Sequence, residues 1–171
     1  PALIGRAFLV AAYPTQTTGA AFATGRMVTD AATYATPLAE LKAGTAIVNA
    51  DAIKNALIGN VGGTIGETCA IALIIGGIYL LVKHVISWRI PVVYIVVVFI
   101  LTSLMRGNGF LGGVYEIFCG GLMLGAIFMA TDYVTSPISA KGQIIFAIGC
   151  GVLTSLIRVY GGYPEGVSYS I

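Results

Sequence analysis

Long apolar blocks separated by short polar, Gly- and Pro-rich links fill residues 64–171, whereas residues 1–63 are more mixed. The first clear block runs from Thr64 to Val85 (TIGETCAIALIIGGIYLLVKHV), close to the ~20 apolar residues that a bilayer-spanning helix needs. Lys83 and His84 close it, and Ser87-Trp88-Arg89 follow, where an aromatic and a cation belong at a membrane interface. Pro91 opens a second block ending near Met105, and proline at a first helical position loses no intrahelical bond. This block is short, at about 15 residues, so its helix tilts little or stops at a break inside the protein. A Gly-rich turn over 106–113 (RGNGFLGG) leads to a third block over about 114–131. The link TDYVTSPISAK separates it from a fourth over about 142–157. The end, YGGYPEGVSYS, is another Gly/Pro turn that begins to enter something apolar. The pattern predicts an all-α, polytopic membrane helix bundle with about four transmembrane helices in residues 64–171.

Residues 5–13 are apolar but too few to span, and Pro14 ends them. They read as the last turns of a helix whose beginning is missing. The chain opens on Pro1 without Met and closes on Ser170-Ile171, as expected of a piece of a longer protein. Residues 15–60 are the most polar stretch, with Arg26, Asp30, Glu40, Lys42, Asp51 and Lys54 scattered among Thr, Ala and Gly. Asp51 is placed to cap a short helix running to Ile58. Residues 1–63 are therefore expected to hold the end of a helix and a segment outside the hydrocarbon or lining a cavity.

Composition agrees with lipid as the solvent. The chain is 57% hydrophobic and 9% charged, against roughly 25% charged in soluble domains. Its formal net charge of +2, without a block of Lys or Arg, gives no footprint for nucleic acid. The links after the first and third blocks carry Lys83, His84, Arg89 and Lys141, and the opposite links carry Arg106 and Arg158. The excess of cations puts Lys83 and Arg89 on the cytoplasmic side, with the polar N-terminal stretch facing outward.

Candidate chemistry is sparse. Cys69, Cys119 and Cys150 form no CxxC pair and read as small core residues, so no metal site is expected from them. His84 is the single histidine and reads as interfacial. No Ser/His/Asp or Cys/His arrangement and no HExxH motif occurs. In DAATYATP, residues 30–37, a hydroxyl in a loop of small residues is a possible attachment point, although a Thr before Pro also suits an ordinary turn. Gly62 and Gly63, in GNVGGTIGE, could offer backbone N–H groups to a phosphate or simply make a tight turn. That string is neither a Walker A loop nor a Rossmann fingerprint. Glu67, Glu116 and Asp132 lie at or near membrane depth, where acids face a cavity or a partner, so an ion pathway and interfacial placement both stand. Gly76-Gly77, Gly120-Gly121, Gly125, Gly149 and Gly151 suit close approach of helix backbones in lipid, or room for a bound ring system.

Several unusual strings coincide. GNVGGTIGET, ISWRIP, FMATDYVTSP and GGYPEGVSYSI, in that order, resemble the D-subunit family of the Rnf electron-transport complex, which is similar to the B subunit of the sodium-pumping NADH:quinone oxidoreductase. The resemblance covers nearly the whole chain, from GRAFLVAAYP onward. It implies a urea-transporter-like membrane fold of two inverted helix repeats, with sites at the repeat interface. It also implies FMN bound by a phosphoester to a threonine within a motif of Asp, two residues, Ser or Thr, often Gly, then Ala-Thr. Asp30, Thr33, Ala35 and Thr36 fit that motif, which makes Thr36 the implied attachment residue. Tyr34 stands where Gly is frequent, and would either crowd the loop or stack on the ring.

The implied protein is a membrane electron-carrier subunit in a complex coupling ferredoxin:NAD electron transfer to movement of Na⁺ or H⁺. Its implied partners are the other Rnf subunits, both membrane and flavin/iron–sulfur, together with the lipid bilayer and a flavin transferase acting on the outer face. The chain has no nicotinamide site, so NAD chemistry falls to a partner. Riboflavin is a possible second cofactor. The alternatives are a subunit of the quinone-reducing relative, or a channel or transporter without redox chemistry.

Overall fold

The computed structural model describes residues 2–13, 37–43, 49–59, 69–107, 109–161 and 166–171. Among these, every regular element is a helix. Helices α1 (Ala2–Ala12), α2 (Pro37–Ala43) and α3 (Ala50–Ile58) precede α4 (Ala70–Val82), α5 (Arg89–Arg106) and α6 (Gly109–Phe118). Helix α7 (Leu122–Leu124) continues into a π-helical turn (Gly125–Met129), and α8 (Ala140–Tyr160) and α9 (Val167–Ser170) complete the order. The bundle character expected from the apolar blocks is therefore present.

Among the described residues, helices α5 and α8 are the two unbroken helices long enough and apolar enough to cross a membrane, and they pack against each other as a spine. They run parallel. Ser87 meets Gln143 beside their first residues, Val97 lies against Gly151 midway, and Arg106 reaches the Arg158 carbonyl at the far end. Gly151 is required there, because a Cβ would fall 2.7 Å from Val97 Cγ1. Helix α5 begins at Arg89, two residues before Pro91, and its 18 residues exceed the length expected from sequence. The proline occupies the third position of the helix, still within the first turn, where its nitrogen is not asked to donate.

Gly107, at φ +65°, ends α5, and α6 returns alongside it. Phe99 and Phe110 meet edge to face at 5.4 Å between centroids, and Gly113 leaves room for Ser103 and Phe99. The expectation of a continuous third span is corrected at this point. The chain bends by 69° between Phe110–Phe118 and Leu122–Met129. Gly120 makes the break, with a φ of +72° that few other residues adopt. Past the break, the Ala130 amide bonds the Gly125 carbonyl at 2.7 Å, the wider spacing of a π-turn. Together the two arms have the length and composition of one span, broken or re-entrant. The first expected span is represented by the 13-residue α4, which packs Gly76 and Gly77 against Phe128 and Ile127; residues 64–68 lie outside the described residues.

The C-terminal turn does enter the apolar core. Val167 joins Ile90, Tyr94, Val98, Leu122, Ala126 and Ala147 in one buried cluster. Tyr94 Oη lies 2.6 Å from Thr154 Oγ1 and 3.1 Å from Ser170 Oγ, so a hydroxyl network fastens α9 to both long helices. Gly125 admits Val167, since a Cβ there would sit 2.3 Å from Val167 Cγ1. Close approach accounts for Gly76, Gly77, Gly125 and Gly151, but Gly149 has no atom within 4 Å.

Gly125→Ala should therefore lower stability by about 1–3 kcal/mol through overpacking. Gly149→Ala should leave stability unchanged or raise it slightly, as alanine favours helix. Unfolding temperatures of the two variants in the same detergent check this, and equal behaviour would contradict the packing described.

Candidate functional site

The chain turns sharply at Gly107, which sets the end of α5 against α6 and brings Arg106 to Glu116. Arg106 Nε lies 2.8 Å from Glu116 Oε1, with the side chains only 11% and 2% exposed. Arg158, two residues before the end of α8, is fully buried beside them. Its Nη1 donates to the Glu116 carbonyl at 2.9 Å, and Arg106 Nη2 donates to the Arg158 carbonyl at 3.0 Å. The three side chains carry a formal charge of +1. Glu116 Oε2 is buried without a hydrogen-bond partner among the described residues. Placing these groups away from water is costly, and each is tolerated because the others are present.

The cluster lies beside the break in the third span. A Cβ on Gly120 would approach Arg158 Nη2 at 3.7 Å and Leu38 Cδ1 at 2.5 Å. Glycine is thus needed twice at this position, for its backbone angle and for the leucine seated on it. Leu38 and Leu41, from α2, pack with Ala56, Tyr115 and Cys119 in a second buried cluster. Lys42 Nζ donates to the Gly161 carbonyl, tying α2 to the end of α8. Pro37 is the first residue of α2, a position that suits proline. The residue before it in the chain is Thr36.

Thr33, Tyr34, Thr36, Gly62, Gly63 and Glu67 lie outside the described residues. Glu116 is a core residue paired with Arg106, which corrects interfacial placement. Asp132 is exposed in the link after Met129, so the structure does not bring it to Glu116. Arg106 and Arg158, read from sequence as link cations, belong to the buried cluster. The signal that could have found Arg158 is its place inside the helical period of the fourth block. The hydroxyls of Tyr94, Thr154 and Ser170 gave no comparable signal. Cys119 and Cys150 are buried free thiols, as expected, and Cys69 is half-buried. His84 and Trp88 are exposed at the opposite end of the long helices.

A model of the NQR2, RnfD, RnfE family matches residues 1–171. Among similar proteins is the D subunit of the Na(+)-translocating ferredoxin:NAD(+) oxidoreductase complex of Acetobacterium woodii. It is 50% identical over 172 residues, covering all of this chain and 52% of the relative. The D subunit of the proton-translocating ferredoxin:NAD(+) oxidoreductase complex of Clostridium ljungdahlii is 48% identical over 181 residues, covering all of this chain and 54% of that protein. The D subunit of the ion-translocating oxidoreductase complex of Halorhodospira halophila is 31% identical over 203 residues, again across the whole chain and 56% of the relative. The chain spans about half the length of these relatives.

Glu116→Gln keeps the shape of the side chain but leaves the Arg106 guanidinium without its carboxylate. Stability should fall by about 3–5 kcal/mol, the cost of breaking a buried pair. Asp132→Asn, at an exposed position, should change it by less than about 0.5 kcal/mol. Denaturation in detergent reads both, and similar small effects would contradict the buried pairing.

Proposed function

The chain belongs to the NQR2, RnfD, RnfE family, and from that premise we propose that it is the core of a membrane electron-carrier subunit with FMN joined covalently to Thr36. The complex it serves is an ion-translocating ferredoxin:NAD(+) oxidoreductase, as the names of the A. woodii and C. ljungdahlii relatives suggest. Those two relatives are named for different ions at nearly equal identity, so overall similarity does not choose between Na⁺ and H⁺.

The observation that carries the reading is the seating of α2. Its first buried residue, Leu38, rests on Gly120, beside the guanidinium of Arg158. Thr36 is two residues upstream, so at most about 7 Å of extended chain separates it from Leu38. An attached flavin phosphate would be a phosphodiester with one negative charge. The charges present are of the sign that such a group needs: Arg106 and Arg158 bring two guanidinium groups to the single carboxylate of Glu116, beside the seat of Leu38. Leu38 and Leu41 anchor the end of the attachment segment, and the Lys42 bond to Gly161 fixes the direction in which α2 leaves it.

When bound, FMN supplies reversible electron uptake, and the link through the threonine oxygen leaves the redox-active ring free. The chain's own task is to hold the ring at a fixed place in the membrane and to set its surroundings. The buried charges provide a fixed field that bulk water does not screen. In this reading a separate flavin transferase makes the ester, and other subunits of the complex deliver and remove electrons.

Full-length protein matured with its transferase should fluoresce under ultraviolet light on a denaturing gel. Its intact mass should exceed that of the bare chain by one FMN less one water. Thr36→Val should be dark and lack the added mass, while Thr33→Val should keep both. Fluorescence persisting in Thr36→Val would move the attachment elsewhere. A dark wild type would favour a transporter without redox chemistry.

A further inference from the structure

The end of the bundle remote from Arg158 holds a cleft that the electron-carrier reading does not use. Two links meet there, one joining α4 to α5 and the other leading into α8. Tyr133 Oη donates to the Val85 carbonyl, and Ser87 Oγ donates to Gln143 Oε1 at 3.2 Å. Held apart in this way, the links enclose a cleft of about 460 Å³, lined by residues that include His84, Ser87, Trp88, Arg89, Ser136 and Ile138. That volume falls within the range of small-molecule sites.

The lining has one sign of charge. Among the described residues it contains a histidine and an arginine and no Asp or Glu. Arg89 is half-buried, and among the described residues no acidic side chain pairs with it. The closest acid in sequence to the lining, Asp132, is not part of it. A sheltered guanidinium without a carboxylate is a poor arrangement unless an anion comes to it. His84 has a φ of +54°, a backbone angle uncommon outside glycine. Such strain is retained where the surroundings over-determine it, and here it sets the imidazole at the cleft.

The rim is apolar. Ile138 is 98% exposed and Trp88 58%. The cleft opens beside the first residues of the two membrane-crossing helices, where an indole and a cation mark the boundary between hydrocarbon and water. A soluble anion would gain nothing from this rim, whereas a phospholipid would place its acyl chains along it and its phosphate at Arg89. Basic pockets between transmembrane helices bind anionic headgroups by this combination.

We propose that the cleft between the 83–89 and 131–138 links is a binding site for an anionic phospholipid, its headgroup phosphate held by Arg89 and His84 and its chains by Trp88 and Ile138. Ser136 supplies a hydroxyl donor at the headgroup. The lipid thereby bridges the two links and steadies the starts of α5 and α8.

The test uses the full-length protein, delipidated in dodecyl maltoside and titrated with phosphatidylglycerol or phosphatidylcholine in the same micelles. Native mass spectrometry counts bound lipid. Phosphatidylglycerol should be retained at least about fivefold better than phosphatidylcholine, and Arg89→Gln should remove about that factor, the effect of one cation at an anionic headgroup. Lys141→Gln removes an exposed cation at the same end but outside the cleft, and should leave retention unchanged. Arg89 begins α5, so Ile138→Glu serves as a second variant, with a rim carboxylate that repels the headgroup from a fully exposed position. It should weaken phosphatidylglycerol without lowering the unfolding temperature of the lipid-free protein. Equal retention of the two lipids, or equal losses in Arg89→Gln and Lys141→Gln, would overturn the site. So would displacement of phosphatidylglycerol by millimolar inorganic phosphate, which would assign the cleft to a soluble phosphate ester.

Discussion

Everything at the broken end of the bundle rests on the pairing of Glu116 with Arg106 beside the buried Arg158. Three ionisable side chains in an apolar interior are stable only as a set, because hydrocarbon offers no water to replace a missing partner. Their bonds cross between elements: Arg106 from α5, Glu116 from α6 and Arg158 from α8. The set therefore fixes the return of the chain at Gly107 and the height at which α8 ends. It also fixes where the third span breaks, since Gly120 lies against Arg158 on one side and Leu38 on the other. The α2 helix is seated on that break through Leu38 and tied to the end of α8 through Lys42.

The same rule, with weaker groups, organises the interior. Thr102, Thr131, Thr154 and Ser155 each donate to the carbonyl four residues earlier, at 2.6–2.8 Å. Each hydroxyl is thus satisfied within its own helical stretch. Thr154 goes further, because its oxygen also meets Tyr94 and Ser170. A four-residue helix such as α9 has no intrinsic stability of its own. It holds its place through Ser170 in that network and Val167 against Gly125. The charged set and the hydroxyl set thus divide the work, the first locating the break and the second docking the C-terminal segment.

Much of the helical scaffold was legible from sequence because its signal is local. Uninterrupted apolar runs marked α5 and α8, and the short helix ending at Ile58 is present, but Asn49 and not Asp51 stands at its N-cap, with Asp51 inside the first turn. The bend in the third span was not legible, since the block 114–131 is as apolar as its neighbours and glycine in such a block also suits close packing. The glycine at the bend lies against Leu38, some 80 residues distant in the chain. The pairing of Glu116 with Arg106 was hidden for the same reason, because a charge near the end of an apolar run reads equally as interface or interior. Tyr94, Thr154 and Ser170 looked like ordinary members of three separate segments, and only the parallel course of α5 and α8 brings them together. The attachment motif reverses the situation: its residues are legible only through resemblance, and the structure contributes the helix that follows them.

Burial of the two arginines also changes what their charges mean for orientation. The rule that cations stay in the cytoplasm concerns exposed residues in links, because those are the charges that would have to cross. Arg158 is fully buried and Arg106 is paired, so neither counts as a link cation. Among the described residues beyond α1, which carries Arg6, the comparison is then between Lys83, Arg89 and Lys141 at one end and Lys42 and Lys54 at the other. The latter two lie in a longer polar segment where Glu40 and Asp51 are interspersed, and the short links at the first end carry the greater weight. Removing the buried arginines from the count thus strengthens the cytoplasmic bias of the Lys83 end. Helix α2, tied to Gly161 through Lys42, sits at the end remote from it. The charge asymmetry and the packing of Leu38 are independent of each other, and both set α2 apart from the end that carries Lys83, Arg89 and Lys141.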